Sequence, residues 1–290
     1  MDATQRPQTW LVTGCSSGFG RAIAEAALRR GHRVVATARD PETLGDLVRE
    51  WPDQAIALEL DVARAGQPPA VVAEATARTG GIDVLVNNAG RVQFGALEEV
   101  SDRELRDLFD VNVFGPAELV RAVLPQMRER RSGTIVQMSS MGSFFISPGL
   151  SAYTATKAAL EGLSVTLAQE VAPFGIRVVV LQPGGHRTSV FSAARLGTEQ
   201  RIPAYEDVVG PNREFVTGLH GKQEGDPERA AEIVVDVAGL DRPPLRVPLG
   251  VDAFERITEA LEAIDGNIRQ WEAVARSSRF GAGRVPLPGA

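Results

Sequence analysis

Tyr153 and Lys157 are four residues apart in a stretch with helical periodicity. Positions i and i+4 share one helix face on neighbouring turns, so the phenol and the ammonium are neighbours. A phenol titrates near pH 10 in water and is a poor base at neutrality. A nearby ammonium stabilises phenolate and lowers that value. A phenol tuned in this way gives a proton to a carbonyl oxygen or takes one from an alcohol. Upstream, Ser139, Ser140 and Ser143 each offer a hydroxyl that can hydrogen-bond the same oxygen. On chemistry alone these three are rivals. An isolated Tyr-x-x-x-Lys is usually a surface pair, so the surroundings must carry the reading.

A second chemical feature lies near the start of the chain. Thr13-Gly14-Cys15-Ser16-Ser17-Gly18-Phe19-Gly20 follows an apolar run, Thr9–Val12, and precedes helical periodicity over 21–30. Three glycines let a backbone turn sharply, approach a pyrophosphate and pack a helix close to a strand. The helix N-terminus then presents free N–H groups to the anion. The spacing is G-x-x-x-G-x-G and not the commoner G-x-G-x-x-G, and such a turn is weak by itself. Its place between the first strand and the first helix points to a dinucleotide. The second strand ends at Ala38, where an acid would bind a ribose 2′-OH, and Arg39 follows. A guanidinium fork suits a 2′-phosphate, and Ser16 and Ser17 could add hydroxyl bonds. Asp40 weighs slightly against this. NADP(H) is favoured over NAD(H).

The elements that must position these groups alternate. Strands are expected at Thr9–Val12, Arg33–Ala38, 55–60, 84–86, 134–138 and 177–181. Helices are expected at 21–30 with Gly31 as its stop, at 41–51 capped by Asp40, and at 69–78. Ser101 opens another with a capping box to Glu104, continuing to about Arg130 with a break near Gly115-Pro116. Ser151–Val171, Pro227–Ala238 and part of 253–275 complete the set. Residues 186–225 read as an irregular or partly helical insertion, and 280–290 as a loose tail. The pattern predicts an α/β, Rossmann-type doubly wound parallel sheet with helices on both faces, one domain over residues 1–290. Ligands in such sheets bind at the carboxyl ends of the strands.

Composition excludes several classes. With 43% apolar and 23% charged residues, the chain is neither disordered nor fibrous. Its one cysteine permits no intrachain disulfide and no multi-cysteine metal site. His32, His186 and His220 have no metal-ligand spacing, so no metal is expected. A net charge of −6 points away from nucleic acid and membrane surfaces. Neither a signal peptide nor a membrane span is read, and a cytoplasmic protein is expected.

Thr-Gly-x-x-x-Gly-x-Gly at 13–20, Asn87-Asn88-Ala89-Gly90, and Tyr153-x-x-x-Lys157 with Ser140 upstream together resemble the short-chain dehydrogenase/reductase family. The likeness spans roughly 8–190 and is nearest the branch of 17β-hydroxysteroid and retinol dehydrogenases and their bacterial relatives. The resemblance selects Ser140 among the three serines. It implies that Asp61 and the Val62 backbone hold adenine, and that Asn88, Ala89 and Gly90 steady the sheet beside the adenine ribose. It further implies that Lys157 holds the nicotinamide ribose. Asn112 would bend its helix and hold a water linked to that lysine. Pro183, Gly184 and Thr188 would belong to a loop over the nicotinamide. His186 lies in that loop and is expected to be solvated, as is His220.

The resemblance also implies a substrate lid at about 186–225, and Val190, Phe191, Leu196, Ile202, Tyr205, Val208, Val209, Phe215 and Leu219 could furnish its apolar cover. Gln93, Phe94, Met141, Phe144 and Phe145 flank the predicted active site. The expected activity is NADP(H)-dependent interconversion of a ketone or aldehyde with an alcohol, on a small-molecule substrate with a moderately large apolar body. Alternatives are an epimerase or dehydratase working by transient oxidation, and a non-catalytic nucleotide-sensing or scaffold protein of the same fold. Relatives pair through helices near 103–130 and 153–172, implying a homodimer or homotetramer.

Overall fold

The computed structural model describes residues 6–191 and 197–289; Leu196 and the side chain of Phe191 lie outside what is described. In chain order the elements are β1 (Thr9–Val12), α1 (Gly18–Arg29), β2 (Arg33–Ala38), α2 (Gly45–Glu50), β3 (Ala55–Glu59), α3 (Gln67–Thr79) and β4 (Val84–Asn87). Then come α4 (Asp102–Phe109), α5 (Gly115–Arg130), β5 (Gly133–Met138), α6 (Ser151–Val171) and β6 (Ile176–Pro183). The last part holds α7 (Glu206–Gly218), α8 (Pro227–Ala238), β7 (Arg246–Leu249), α9 (Val251–Gln270) and α10 (Glu272–Ser277).

The strands form one seven-stranded sheet in the order β3-β2-β1-β4-β5-β6-β7, and every pair is parallel. Successive strand residues point to opposite faces, and both faces are packed. Trp10, Val12, Val34, Val86 and Val136 join Ile23 of α1, Leu47 of α2 and Val234 of α8 in one core. Leu11, Val35, Leu85 and Ile135 join Val72 of α3, Val123 of α5 and Leu167 of α6 in the other. Leu11 is fully buried, so Leu11→Ala would cost about 3 kcal/mol. The winding reverses between β1 and β4, and that switch opens a crevice at the carboxyl ends of these two strands.

Local signals act as their chemistry dictates. Ser101 and Glu104 form the reciprocal capping box of α4. Gly31, at φ +79°, ends α1. Asp40 accepts from the Glu42 N–H at 3.0 Å, but it caps a 3-10 turn over Pro41–Leu44 that precedes the short α2. The interruption expected near Gly115 is a π-helical turn over Asp110–Phe114, which sets Asn112 inside the bend. The sequence did not announce β7. Pro248 within it argues against a strand, and the sheet tolerates it because β7 is the edge.

Candidate active site

The glycine turn leaves β1 at the crevice. Gly14 and Gly18 have φ of +73° and +61°. A Cβ on Gly20 would stand 2.3 Å from the Gly14 carbonyl and 2.5 Å from Asn88 Nδ2. A Cβ on Gly14 would meet Ala89 Cα at 3.0 Å, and one on Gly18 would meet Thr188 at 3.3 Å. The turn is therefore a cradle that side chains would fill. Ser17, the N-cap of α1, makes no side-chain cap bond, and no acidic residue stands in the first turn. The N–H groups and the positive dipole end there suit an anion. Asn88 and Ala89 stitch β4 to the turn: both backbone N–H groups donate to Thr13 Oγ1 at 2.9 Å, and Asn88 Nδ2 donates to the Thr13 carbonyl at 2.8 Å. A cavity of about 340 Å³ opens against the outer side of the turn, beside Ser17, Gly18, Thr188 and His220, and not against Tyr153.

Cys15 lies inside this turn, fully buried, with its Sγ directed to the Val12 carbonyl at 3.2 Å. Burial pushes its thiol up to about 12, so it packs and does not react.

At the far end of the crevice, α6 presents Tyr153 and Lys157. Lys157 is buried, and its Nζ donates to the Met138 carbonyl at the end of β5 at 2.8 Å. The same Nζ lies 5.8 Å from the centre of the Tyr153 ring. A Cβ on Gly90 would stand 3.7 Å from this Nζ, so β4, β5 and α6 converge on it. Ser140 follows Met138 closely, and its hydroxyl is near enough to the Tyr153 phenol to favour the phenolate. Its Oγ also accepts from the Gly142 N–H at 3.0 Å. A Cβ on Gly142 would press on both Ser140 Oγ and Tyr153 Cε1 at 3.3 Å, so glycine there permits the approach. The rival serines are elsewhere: Ser143 donates to the Ser140 carbonyl at 2.7 Å, and the buried Ser139 Oγ has no partner among the described residues.

Electrostatics differ from the sequence expectation in one respect. Burial raises the Tyr153 phenol above its ordinary value, and the Ser140 hydroxyl only partly offsets this. Burial also lowers the Lys157 ammonium to about 8, against the pull of Glu161. Desolvation outweighs the pairing that helix spacing alone suggests.

Asn112 uses its whole amide. Nδ2 donates to the Arg91 carbonyl and to Thr156 Oγ1, each at 3.0 Å, and Oδ1 accepts from the Arg91 N–H at 3.0 Å. It thus ties the π turn to the loop after β4 and to α6 beside Lys157.

Just past β2 and in the glycine turn, Arg39 and Ser16 are exposed, and neither side chain has a hydrogen-bond or ion-pair partner among the described residues. Asp61 accepts from the Ala63 N–H at 3.0 Å and is half-buried, while Val62 is buried. Beyond β6, Gly184 leads to His186 and Thr188. His186 is a correction: it is buried, with Nδ1 3.2 Å from the Gly184 carbonyl and its ring centre 4.8 Å from that of Phe19. The apolar Phe19 and the bare Gly225 leave it a ready slot. His220 is exposed.

Three features escaped the sequence because their partners are far apart in the chain. Asp252 accepts from the Gly185 N–H at 2.6 Å. Glu161 accepts from Gln182 at 2.8 Å and pairs with Arg246 at 3.1 Å. The buried Glu99 and Glu104 accept from the Ile202 and Glu199 N–H groups at 2.8 and 2.9 Å. Gln93 is buried in this last cluster and donates to the Gly197 carbonyl at 2.6 Å. Met141 is half-buried in the turn after Ser140.

Comparison with known proteins agrees with this geometry. Residues 8–198 match the short chain dehydrogenase family. The chain is 38% identical over 274 residues to oxidoreductase BOA17 of Botryotinia fuckeliana (strain B05.10), spanning 93% of this chain and 98% of that protein. A short-chain dehydrogenase structure from Streptomyces avermitilis is 50% identical at a TM-score of 0.89, covering 95% of this chain and all of that one (100%). An alcohol dehydrogenase from the archaeon Thermococcus sibiricus, solved with 5-hydroxy-NADP, is 26% identical at a TM-score of 0.69, with 84% and 96% covered. No described helix is long and apolar enough to cross a membrane. The match runs from β1 past β6, through the crevice and the residues gathered around it, and the chain belongs to the short chain dehydrogenase family.

Proposed function

We propose that the protein is an NADP(H)-dependent oxidoreductase that interconverts a ketone or aldehyde with an alcohol, with Tyr153 as proton donor and acceptor. The observation that carries this reading is the meeting of Ser140, Tyr153 and Lys157 in the same crevice as a glycine turn that only an unsubstituted backbone can form. Gly14, Gly18, Phe19 and Gly20 would hold the pyrophosphate, Asp61 and Val62 the adenine, and Asn88, Ala89 and Gly90 the adjoining ribose. Arg39, with Ser16 and Ser17, would bind the 2′-phosphate. Its guanidinium, exposed and without a partner among the described residues, supports NADP(H), as does the likeness to a structure holding an NADP derivative. Asp40 opposes this little, because its carboxylate caps the following turn.

When bound, the nicotinamide exchanges hydride with the substrate carbon. Tyr153 passes a proton to or from the substrate oxygen, and Ser140 hydrogen-bonds that oxygen as charge develops. Lys157 binds the nicotinamide ribose and supplies positive charge beside the phenol. Asn112 fixes the backbone around Lys157 and joins the proton path to solvent. Pro183, Gly184 and Thr188 line the nicotinamide. Residues 186–225 act as the lid. The exposed Ile146, in the segment after Ser140, favours an apolar substrate body. The protein is proposed to act in the cytoplasm as a homodimer or homotetramer.

A fluorescence titration with NADPH and NADH, followed by a panel of apolar ketones and aldehydes, tests the reading. Tyr153→Phe should lower kcat by roughly 10²–10⁴-fold and leave NADPH affinity intact. Turnover by that variant with an unchanged pH profile would overturn the assignment.

A further inference from the structure

The loop expected over the nicotinamide is held from behind by the C-terminal part of the chain, outside the stretch that matches the family. The Gly184 N–H donates to the Leu249 carbonyl at 2.9 Å, extending the β6–β7 ladder by one bond. The Gly185 N–H donates to Asp252 Oδ2 at 2.6 Å. The other carboxylate oxygen accepts from the Ala253 N–H at 2.9 Å. Two glycines make room for this carboxylate. A Cβ on Gly184 would stand 2.1 Å from Asp252 Oδ1, and one on Gly250, at φ +104°, would stand 2.6 Å away. On its other side the loop is fixed through His186, whose ring meets Phe19 of the glycine turn.

We propose that Asp252 is the positioning residue of the Pro183-Gly184-Gly185 loop, setting its backbone at the height the nicotinamide half of the cofactor requires. This rests on the NADP(H) reading above. A charge-assisted bond to a backbone N–H is among the stronger hydrogen bonds, and it acts on a segment with little side-chain packing of its own. The chain spends an aspartate and two glycines, Gly184 and Gly250, on one contact between segments 67 residues apart. The contact reaches the loop's backbone and none of the adenine-side residues, so its loss should be felt by one half of the dinucleotide.

The test compares two ligands: NADPH and 2′-phospho-ADP-ribose, which lacks the nicotinamide. Dissociation constants are measured for the full-length wild type, Asp252→Ala and Asp252→Asn, with thermal midpoints alongside. Asp252→Ala should weaken NADPH about tenfold and change the fragment by less than about twofold. Asp252→Asn keeps an acceptor in place and should recover part of the loss. Equal weakening of both ligands would mean that Asp252 only supports the fold, and unchanged NADPH affinity would mean that the contact does no positioning. Either result overturns the inference while leaving the proposed activity standing. A wild type that binds neither ligand would remove the NADP(H) reading itself, and this inference with it. Should Asp252→Ala fail to fold, Asp252→Asn carries the comparison alone, with a smaller loss confined to NADPH expected.

Discussion

Glu161 stands one helical turn after Lys157 on α6, its carboxylate held by Gln182 and Arg246, and its negative charge supports the Lys157 ammonium against burial. The sheet edge thereby reaches Lys157 through a relay, since Arg246 belongs to β7 and Gln182 to β6. Glu161→Gln should retain the Gln182 and Arg246 contacts in part and remove the charge. Lys157, already lowered to about 8, would fall further. The ammonium would then be lost at lower pH, and the alkaline limb of the kcat profile should move toward acid. A pH–rate series on the two proteins checks this, and a profile that stays in place would exclude the electrostatic role.

Lys157 also makes a stability prediction. Its folded value of about 8 lies below the ordinary 10.5, so the unfolded chain binds the proton more tightly. Stability should therefore rise with pH between about 8 and 10.5, the reverse of a paired lysine. The full effect of this one group is about 3 kcal/mol. Lys157→Met should flatten that rise in denaturant midpoints recorded across the window, and it should abolish turnover.

Arg39→Asp should weaken NADPH by about tenfold or more and spare or improve NADH, because it exchanges a phosphate partner for a ribose partner. Equal losses for both nucleotides, measured by the same quench titration, would show that Arg39 does not read the phosphate.

Glu99 and Glu104 bind the 197–202 segment through backbone N–H groups. Burial alone would raise both carboxyls. The N–H groups of Ile202 and Ala96 outweigh it at Glu99, those of Ser101 and Glu199 do so at Glu104, and both values end lowered. The stability they lend is thus present at neutral pH and lost as pH falls through the lowered values. Glu104→Gln should raise the KM for substrate several-fold and leave NADPH affinity unchanged. Limited proteolysis should cut near 197–202 sooner in this variant, and in the wild type only at strongly acid pH.

The layered sheet, the glycine turn and the Tyr153–Lys157 pair were legible because each is written in neighbouring residues: alternation, helical period and fixed spacing. Ser140 needed the family likeness to stand apart from Ser139 and Ser143, because only folding turns Ser143 onto the Ser140 carbonyl and buries Ser139 away from Tyr153. What stayed hidden depends on distant partners. His186 reads as a loop residue until Phe19 and Gly225 are brought around it. Asp252, Glu161 and β7 draw their meaning from β6, and nothing local to positions 161, 246 or 252 announces that meeting. The burial of the phenol was hidden for a related reason, since spacing reports the neighbour and not how much water has been removed.

The sealed thiol of Cys15 has a practical consequence. As the chain's one sulfhydryl, deep in the turn and far from its thiolate form at neutral pH, it is shielded from oxidants and alkylating reagents while the turn is closed. Any reagent that captures it must wait for the nucleotide half of the molecule to open. Its labelling rate is thus a built-in clock for that opening, and a ligand seated on the cradle should slow the clock in proportion to its occupancy.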